Sequence, residues 1–307
     1  CTTIKFDFCY LYQILSDIML PMGIIFGLLS SLFFAFGFTS LKKSYEEFPP
    51  SVAFFFDMIF GLLIWIPFSL ILGFDFSDLW VVLPYALISA VLSEAFIFYI
   101  LSKGEISITG TIFASYPVYT ILFAMLFLGE RLGLQHWFFV LITIIGTTLA
   151  SLPKKITKAE LKKKQYILWA IAGATAVGVS DTISKGSIDQ TSASAFLFAL
   201  AFMQIPISII YLKLEKESPL HILKFVKDIK KYKYSLLGSL FNVLGLVGLW
   251  LAFENTLASI ASPLTAAYPG IMIVLAVIFL KEKPRKIELI GLSLIMIGVL
   301  GISYLFA

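Results

Sequence analysis

The chain has 307 residues, of which 59% are hydrophobic and only 14% charged, with a mean hydropathy of +0.96. A soluble domain of this size needs a charged surface that this composition does not supply. The net charge of +4 is modest and its lysines sit beside hydrophobic spans, which argues against nucleic acid as a partner.

Stretches of about 20 apolar residues recur, long enough to cross a bilayer core of roughly 30 Å. Lipid forces every backbone group to be paired within its segment or in a closed barrel, and the short alternating strands of a barrel are missing. The expected fold is therefore an all-α membrane protein with ten transmembrane helices. Residues 1–20 precede the first of them. Lys5, Asp7 and Asp17 interrupt this stretch, so it makes no secretory signal. Cys1 and Cys9 pair or stay free, and neither has partners at metal spacing. The sequence opens on Cys1 rather than Met, and the native start is expected upstream.

The first span is expected at 21–41 and the second at 52–72. Asp57 lies five residues inside the second and is expected to snorkel or pair, whereas Trp65 is deep enough to line the interior. The third span, 79–101, carries the sharpest signal, Glu94. At 1.5 Å per residue it lies about 10 Å inside the nearer end. A charged, unpaired carboxylate there costs at least about 2.5–3.5 kcal/mol, so Glu94 is protonated, hydrogen-bonded or in a wet cavity. Two roles are open for it: a partner for a substrate amine or proton, and a buried structural hydrogen bond. Ala86, Ala90 and Ser93 stand at i, i+4 and i+7 beside it, a small and partly polar stripe.

The fourth span, 106–129, contains Tyr116-Pro117 and ends at Glu130; the fifth is 135–152. Proline breaks the hydrogen-bond ladder, and freed carbonyls are tolerated only where they are buried or line a cavity. A bend at Pro117 therefore suits a hinge, with Tyr116 presenting a hydroxyl to a cavity. A carboxylate opposes the dipole at a helix C-terminus, so Glu130 is expected to find a partner and to act as a tie or gate. The sixth span is 166–184, where Asp181 and Lys185 at i, i+4 suggest an ion pair. The seventh, 193–212, holds Gln204, a candidate interhelical donor. Residues 213–233 follow with seven lysines, either an interfacial helix on anionic lipid or a solvated basic loop. The eighth span, 234–253, repeats the small stripe as Gly238, Asn242 and Gly245. The ninth, 260–280, contains Tyr268-Pro269 and leads to Glu282, and the tenth is 287–306. Trp80, Trp137, Trp169 and Trp250 fall near span ends, where indole rings favour the interface. His136 and His221 are too far apart in sequence to suggest a metal site, and no metal or other cofactor is implied.

Lysine and arginine are lopsided across these spans. Twenty lie on one side, in the 153–165, 213–233 and 281–286 connections and at Lys42, Lys43 and Lys103; only Lys5, Arg131 and Lys185 lie on the other. The positive-inside rule puts the twenty in the cytoplasm and both termini outside.

The spans also repeat. At an offset of 152, residues 110–130 and 262–282 are identical at eight of 21 positions, including Tyr116/Tyr268, Pro117/Pro269 and Glu130/Glu282. AFGFT at 35–39 matches AVGVS at 176–180, and IPFSLI at 66–71 matches IPISII at 205–210. The chain therefore reads as two repeats, 21–152 and 166–306. Five helices is an odd number, so the second repeat enters the membrane from the opposite side. Such inverted duplication suits a transporter with a midplane site between the halves.

Two five-helix halves, each with Tyr-Pro near the start of its fourth helix and then FLGE or FLKE, resemble the EamA-type repeats of the drug/metabolite transporter superfamily. The resemblance covers nearly the whole chain from about residue 21. It implies a ten-helix bundle, a cavity lined by helices 1, 3, 4, 6, 8 and 9, and movement of small metabolites. It also implies cytoplasmic termini, against which the charge bias stands. The expected function is a permease of the cell membrane that moves a small organic metabolite, such as an amino acid or drug-like compound, by alternating access. A lipid-carrier flippase and a non-transporting membrane subunit are the alternatives. No nucleotide-binding motif and no clustered acid, base or metal set appear, so no enzyme is expected. Glu94, Asn242, Tyr116, Tyr268 and Ser93 are the expected substrate-binding residues; Pro117, Pro269, Glu130 and Glu282 are the expected hinge and gate. The expected partners are the small-molecule substrate, the lipid bilayer and a coupling proton at Glu94, for a monomer or homodimer.

Overall fold

The computed structural model describes residues 4–103, 113, 115–152, 164–219, 229–280 and 283–305, with side chains from Met22 onward except at 101, 103, 164–167, 276, 279, 280 and 303. Glu282, residues 153–163 and residues 220–228 (with His221) lie outside them, as does the start of the fourth span.

The described residues form ten helices. They are α1 (Ile4–Ser44), α2 (Pro50–Leu72), α3, α4, α5 (Leu134–Ala150), α6 (Lys164–Ile188), α7 (Ala193–Leu214), α8 (Ile229–Asn255), α9 and α10 (Lys286–Leu305). Three of the ten are irregular. α3 runs through Leu79–Ser89, a π-helical turn Ala90–Ala95 and Phe96–Lys103. α4 comprises Tyr116–Phe123 and a second π segment, Ala124–Leu128. α9 is broken into Ala258–Thr265 and Tyr268–Leu280. Six of the described helices are long and apolar enough to cross a membrane, and Tyr116–Leu128 and Leu134–Ala150 are shorter apolar helices.

Local chemistry sets the ends. Pro49 precedes α2 and Pro50 opens it, where a missing N–H costs nothing. α4 stops at Gly129, whose φ of 68° is left-handed and whose N–H reaches Ala124 O. Ser192 caps α7 by accepting from Ala195 N at 3.1 Å.

Packing follows the repeat. α1 lies against α8 and α3 against α6; α4 packs on α6 and α9 on α1; α2 packs on α8 and α7 on α3. The pairs α2–α7, α4–α9 and α5–α10 relate the halves to each other, and further contacts, such as α5–α9 and α9–α10, lie outside this symmetric list. Adding five to every helix number leaves this list of neighbours unchanged. The equivalent pairs are not equally tight. α1 and α8 stay in contact over more than twenty residues of α1, from Gly23 beside Thr256, just past α8, to Ser44 bonded to Ser235. Gly238, Gly245 and Gly248 of α8 receive Leu41, Phe34 and the Phe26 carbonyl of α1. The small stripe of α8 is thus a helix-packing face, with Asn242 set within it. α3 touches α6 along all three of its pieces; at the lysine-rich end Trp169 packs edge-on to Phe96 and Tyr99, both centroids 6.0 Å away.

The outer faces carry large exposed apolar side chains, among them Leu63, Ile71, Leu126, Phe127 and Leu300. Lipid covers such a surface, and water does not. Trp80 is on that surface, but Trp250, expected at an interface, is fully buried against Phe196 and Phe253. The small Ala193, Ala199 and Ala201 of α7, in the same core cluster, leave room for its indole.

Candidate functional site

A small cavity lies at the centre of the bundle, lined from α1, α3, α4, α6, α8 and α9. Its free volume is about 30 Å³. A water needs roughly 10–15 Å³ on the same measure, so the cavity holds a few waters and no metabolite.

The π turn of α3 delivers Ser93 and Glu94 to it, both almost completely buried. A π turn inserts a residue into the helical register and is frequent where a side chain must be re-aimed. α4 contributes Tyr116, whose hydroxyl lies 3.1 Å from Thr265 Oγ1 of α9. α9 contributes Tyr268, whose ring is met by Phe38 of α1 at 5.0 Å. α8 contributes Asn242. The five residues expected to bind substrate therefore line one cavity.

Pro269 does not kink a continuous helix. Pro117 stands in the first turn of the Tyr116–Phe123 piece, and Pro269 is the second residue of Tyr268–Leu280. In α9 the break is at Ala266 and Ala267, whose N–H groups turn back to Ser262 O and Leu264 O. Each proline thus lies in the first turn of its helical piece, and Tyr268 directly follows the break in α9.

Two further carboxyls reach the same centre. Asp181 of α6 lines the cavity; Thr120 Oγ1 donates to its Oδ2 at 2.9 Å, and its Oδ1 has no partner among the described residues. The expected ion pair with Lys185 does not form. Lys185 turns toward the helix end and pairs with Asp189. Asp57 neither snorkels nor meets a cation. It is fully buried, accepting from Asn242 Nδ2 at 2.9 Å and Gln204 Nε2 at 3.1 Å. Trp65, buried nearby, donates to the Val243 carbonyl at 3.1 Å. Glu94 Oε1 likewise has no partner among the described residues. No Lys, Arg or His stands among the described residues that line the cavity.

Glu130 is placed apart from the cavity. Its carboxylate accepts from the N–H groups of Ala258 and Ser259 at 2.8 and 2.9 Å, and from the Ser259 hydroxyl. It leaves the end of α4 and caps the start of α9, where the dipole favours negative charge. Glu215 does the same for Ser51 N at the start of α2, and Glu254 for Ala193 N at the start of α7. At the lysine-rich end, Arg285 donates to the Leu152 carbonyl and pairs with Glu288.

A second cavity, of about 490 Å³, opens between α3, α4 and α6 toward the end that bears Gln190. Tyr85, Phe123 and Phe127 face Val179, Ile183 and Gly186 across it.

The sequence matches the EamA-like transporter family model twice, over residues 21–152 and 164–304. An uncharacterized protein of Methanocaldococcus jannaschii is 33% identical over 78 residues, which span 25% of this chain and 57% of that relative. One solved crystal structure superimposes with a TM-score of 0.71 at 18% identity, covering 92% of this chain and 96% of its own, a likeness of fold. With both repeats matched, the chain belongs to the EamA-like transporter family, as a multi-pass integral membrane protein.

Proposed function

We propose that the chain is a secondary transporter of a small organic solute, working by alternating access between two inverted five-helix repeats. Residues 21–152 and 166–306 are the halves, ten helices span the membrane, and the termini face outside the cell membrane. The observation that carries the reading is the central cavity, to which both halves bring buried polar groups: Ser93, Glu94 and Tyr116 from one, Asp181, Asn242 and Tyr268 from the other.

The unequal packing supports the same reading. α1–α8 and α3–α6 are equivalent pairs, yet the first is closely packed from Gly23 to Ser44 while a cavity of about 490 Å³ opens among α3, α4 and α6 at one end. In an inverted repeat, exchanging these two arrangements would move access from one membrane face to the other. The Tyr116-Pro117 and Tyr268-Pro269 segments are the natural hinges, and Glu130 fastens α4 to α9 at one face. Widening the cavity would then admit substrate to Glu94, Asn242 and the two tyrosines.

Glu94 is also the proposed proton carrier. The titratable groups around the cavity are Asp57 of α2, Asp181 of α6, Tyr116 of α4 and Tyr268 of α9, with no base among the described lining residues. Purified protein in proteoliposomes is expected to move solute, with flux that responds to pH. Glu94→Gln is expected to remove that response. No flux of any tested amino acid, amine, sugar or nucleoside would overturn the transport reading. An unchanged rate and pH profile in Glu94→Gln would overturn the proton role.

A further inference from the structure

We infer that the solute is an organic cation, an amine or quaternary ammonium on an apolar body. This rests on the transport reading above and names the class of its substrate. Two carboxyls from two helices line the cavity, a third lies behind it, and they are not equivalent. Asp57 is saturated by Asn242 and Gln204 and sits behind the amide. Glu94 Oε1 and Asp181 Oδ1 are different: both belong to residues at most 2% exposed, both residues line the cavity, and neither atom has a partner among the described residues.

A buried acceptor without a donor is costly. Among the described residues no cation pairs with these two. The nearest basic side chain on α6, Lys185, lies one turn beyond Asp181 and is engaged by Asp189. A cationic ligand would supply the charge that pairs them when they are ionised. The walls suit such a ligand. Phe34, Phe38, Phe113, Tyr116 and Tyr268 surround the acceptors, and aromatic faces attract cations while excluding water. An acid would meet like charge here. A neutral solute would leave both carboxylates unpaired, and a zwitterion would bring its own carboxylate against them. The cavity as it stands is too small for such a ligand, which must enter in a wider state.

The test uses four probes of similar size and different charge: phenethylamine, its N-trimethyl derivative, 3-phenylpropionate and 2-phenylethanol. Binding to the purified full chain is read by calorimetry and by melting temperature. Both cations are expected to bind at least about tenfold more tightly than the acid or the alcohol. Glu94→Gln and Asp181→Asn are each expected to weaken the cations by about tenfold or more, and Glu94→Asp, which keeps the charge, to preserve the preference and to serve if the amide variant does not fold. Acid or alcohol binding as tightly as the amine would overturn the inference, as would full cation binding in both amide variants. Flux separates the two proposals. Preferred transport of an acid or neutral solute sinks the cation class and leaves transport standing. Cation binding without flux leaves the site standing and sinks transport.

Discussion

Asn242 of α8 donates its side-chain amide to Asp57 Oδ1 of α2 at 2.9 Å, across the boundary between the two repeats. Gln204 of α7 fills the other oxygen at 3.1 Å. Both donors come from the second half and the acceptor from the first, so this buried trio ties the halves together beside the cavity. Replacing Asn242 by Leu leaves a buried carboxylate with an empty acceptor. Such a loss typically costs about 1.5–3 kcal/mol. Asn242→Leu is expected to melt well below the parent protein in detergent, whereas Ser77→Ala, at an exposed end, is expected to melt with it. An unchanged Asn242→Leu melting curve would mean that the trio contributes nothing.

Glu130 resolves an apparent electrostatic error. At the end of α4 its charge opposes that helix's dipole, yet its oxygens lie on the first N–H groups of α9. The interaction is a helix cap supplied from another helix. Removing a capping side chain costs about 0.5–2 kcal/mol. Glu130→Ala is therefore expected to lower the melting temperature, and Glu130→Gln to lower it less, since an amide oxygen still accepts. Equal melting of all three proteins would show that the cap contributes nothing.

Much of this architecture is legible in the sequence because it is periodic. The spans follow from apolar length, the repeat from the 152-residue offset of Tyr-Pro and Glu, and Glu94 from a carboxyl too deep to ignore. Asp57 and Asp181 were harder. Sequence gives depth along a helix and neighbours on the same helix, so Asp181 read as a partner of Lys185. The true partner, Thr120, lies on α4, and no local spacing reveals it. Asp57, five residues in, looked able to reach the surface. In fact α7 and α8 close over it. The π turn at Ala90–Ala95 has no spacing signature, since the same residues fit a regular helix. Trp250 misleads for a similar reason: its nearness to a helix end says nothing about which neighbours cover it.

The glycines divide by what their neighbours are. A Cβ at Gly248 would lie 2.9 Å from the Phe26 carbonyl and 3.0 Å from Ser30 N, which are backbone atoms of α1 that cannot step aside. A Cβ at Gly186, on the wall of the larger cavity, would meet only Leu128 Cδ2 at 3.0 Å, the tip of a flexible side chain. Gly248→Ala is thus expected to destabilise by about 1–3 kcal/mol through overpacking. Gly186→Ala should be neutral, or stabilising by up to about 1 kcal/mol through helix propensity. Yield of folded protein by size exclusion and its melting temperature check both. The reverse order would show that α1 and α8 are not packed as described.

Sidedness follows from charge and can be checked at two exposed positions. Gln190 follows α6, and Lys216 follows α7 at the lysine-rich end. Lys185 would be a poor probe, being buried and held by Asp189. With Cys1 and Cys9 replaced by serine, Gln190→Cys and Lys216→Cys each carry one introduced thiol. An impermeant maleimide added to intact cells is expected to label Gln190→Cys at once and Lys216→Cys only after lysis. Twenty cationic residues against three favour that orientation. Labelling of Lys216→Cys alone in intact cells would reverse it, and the cavity between α3, α4 and α6 would then open toward the cytoplasm.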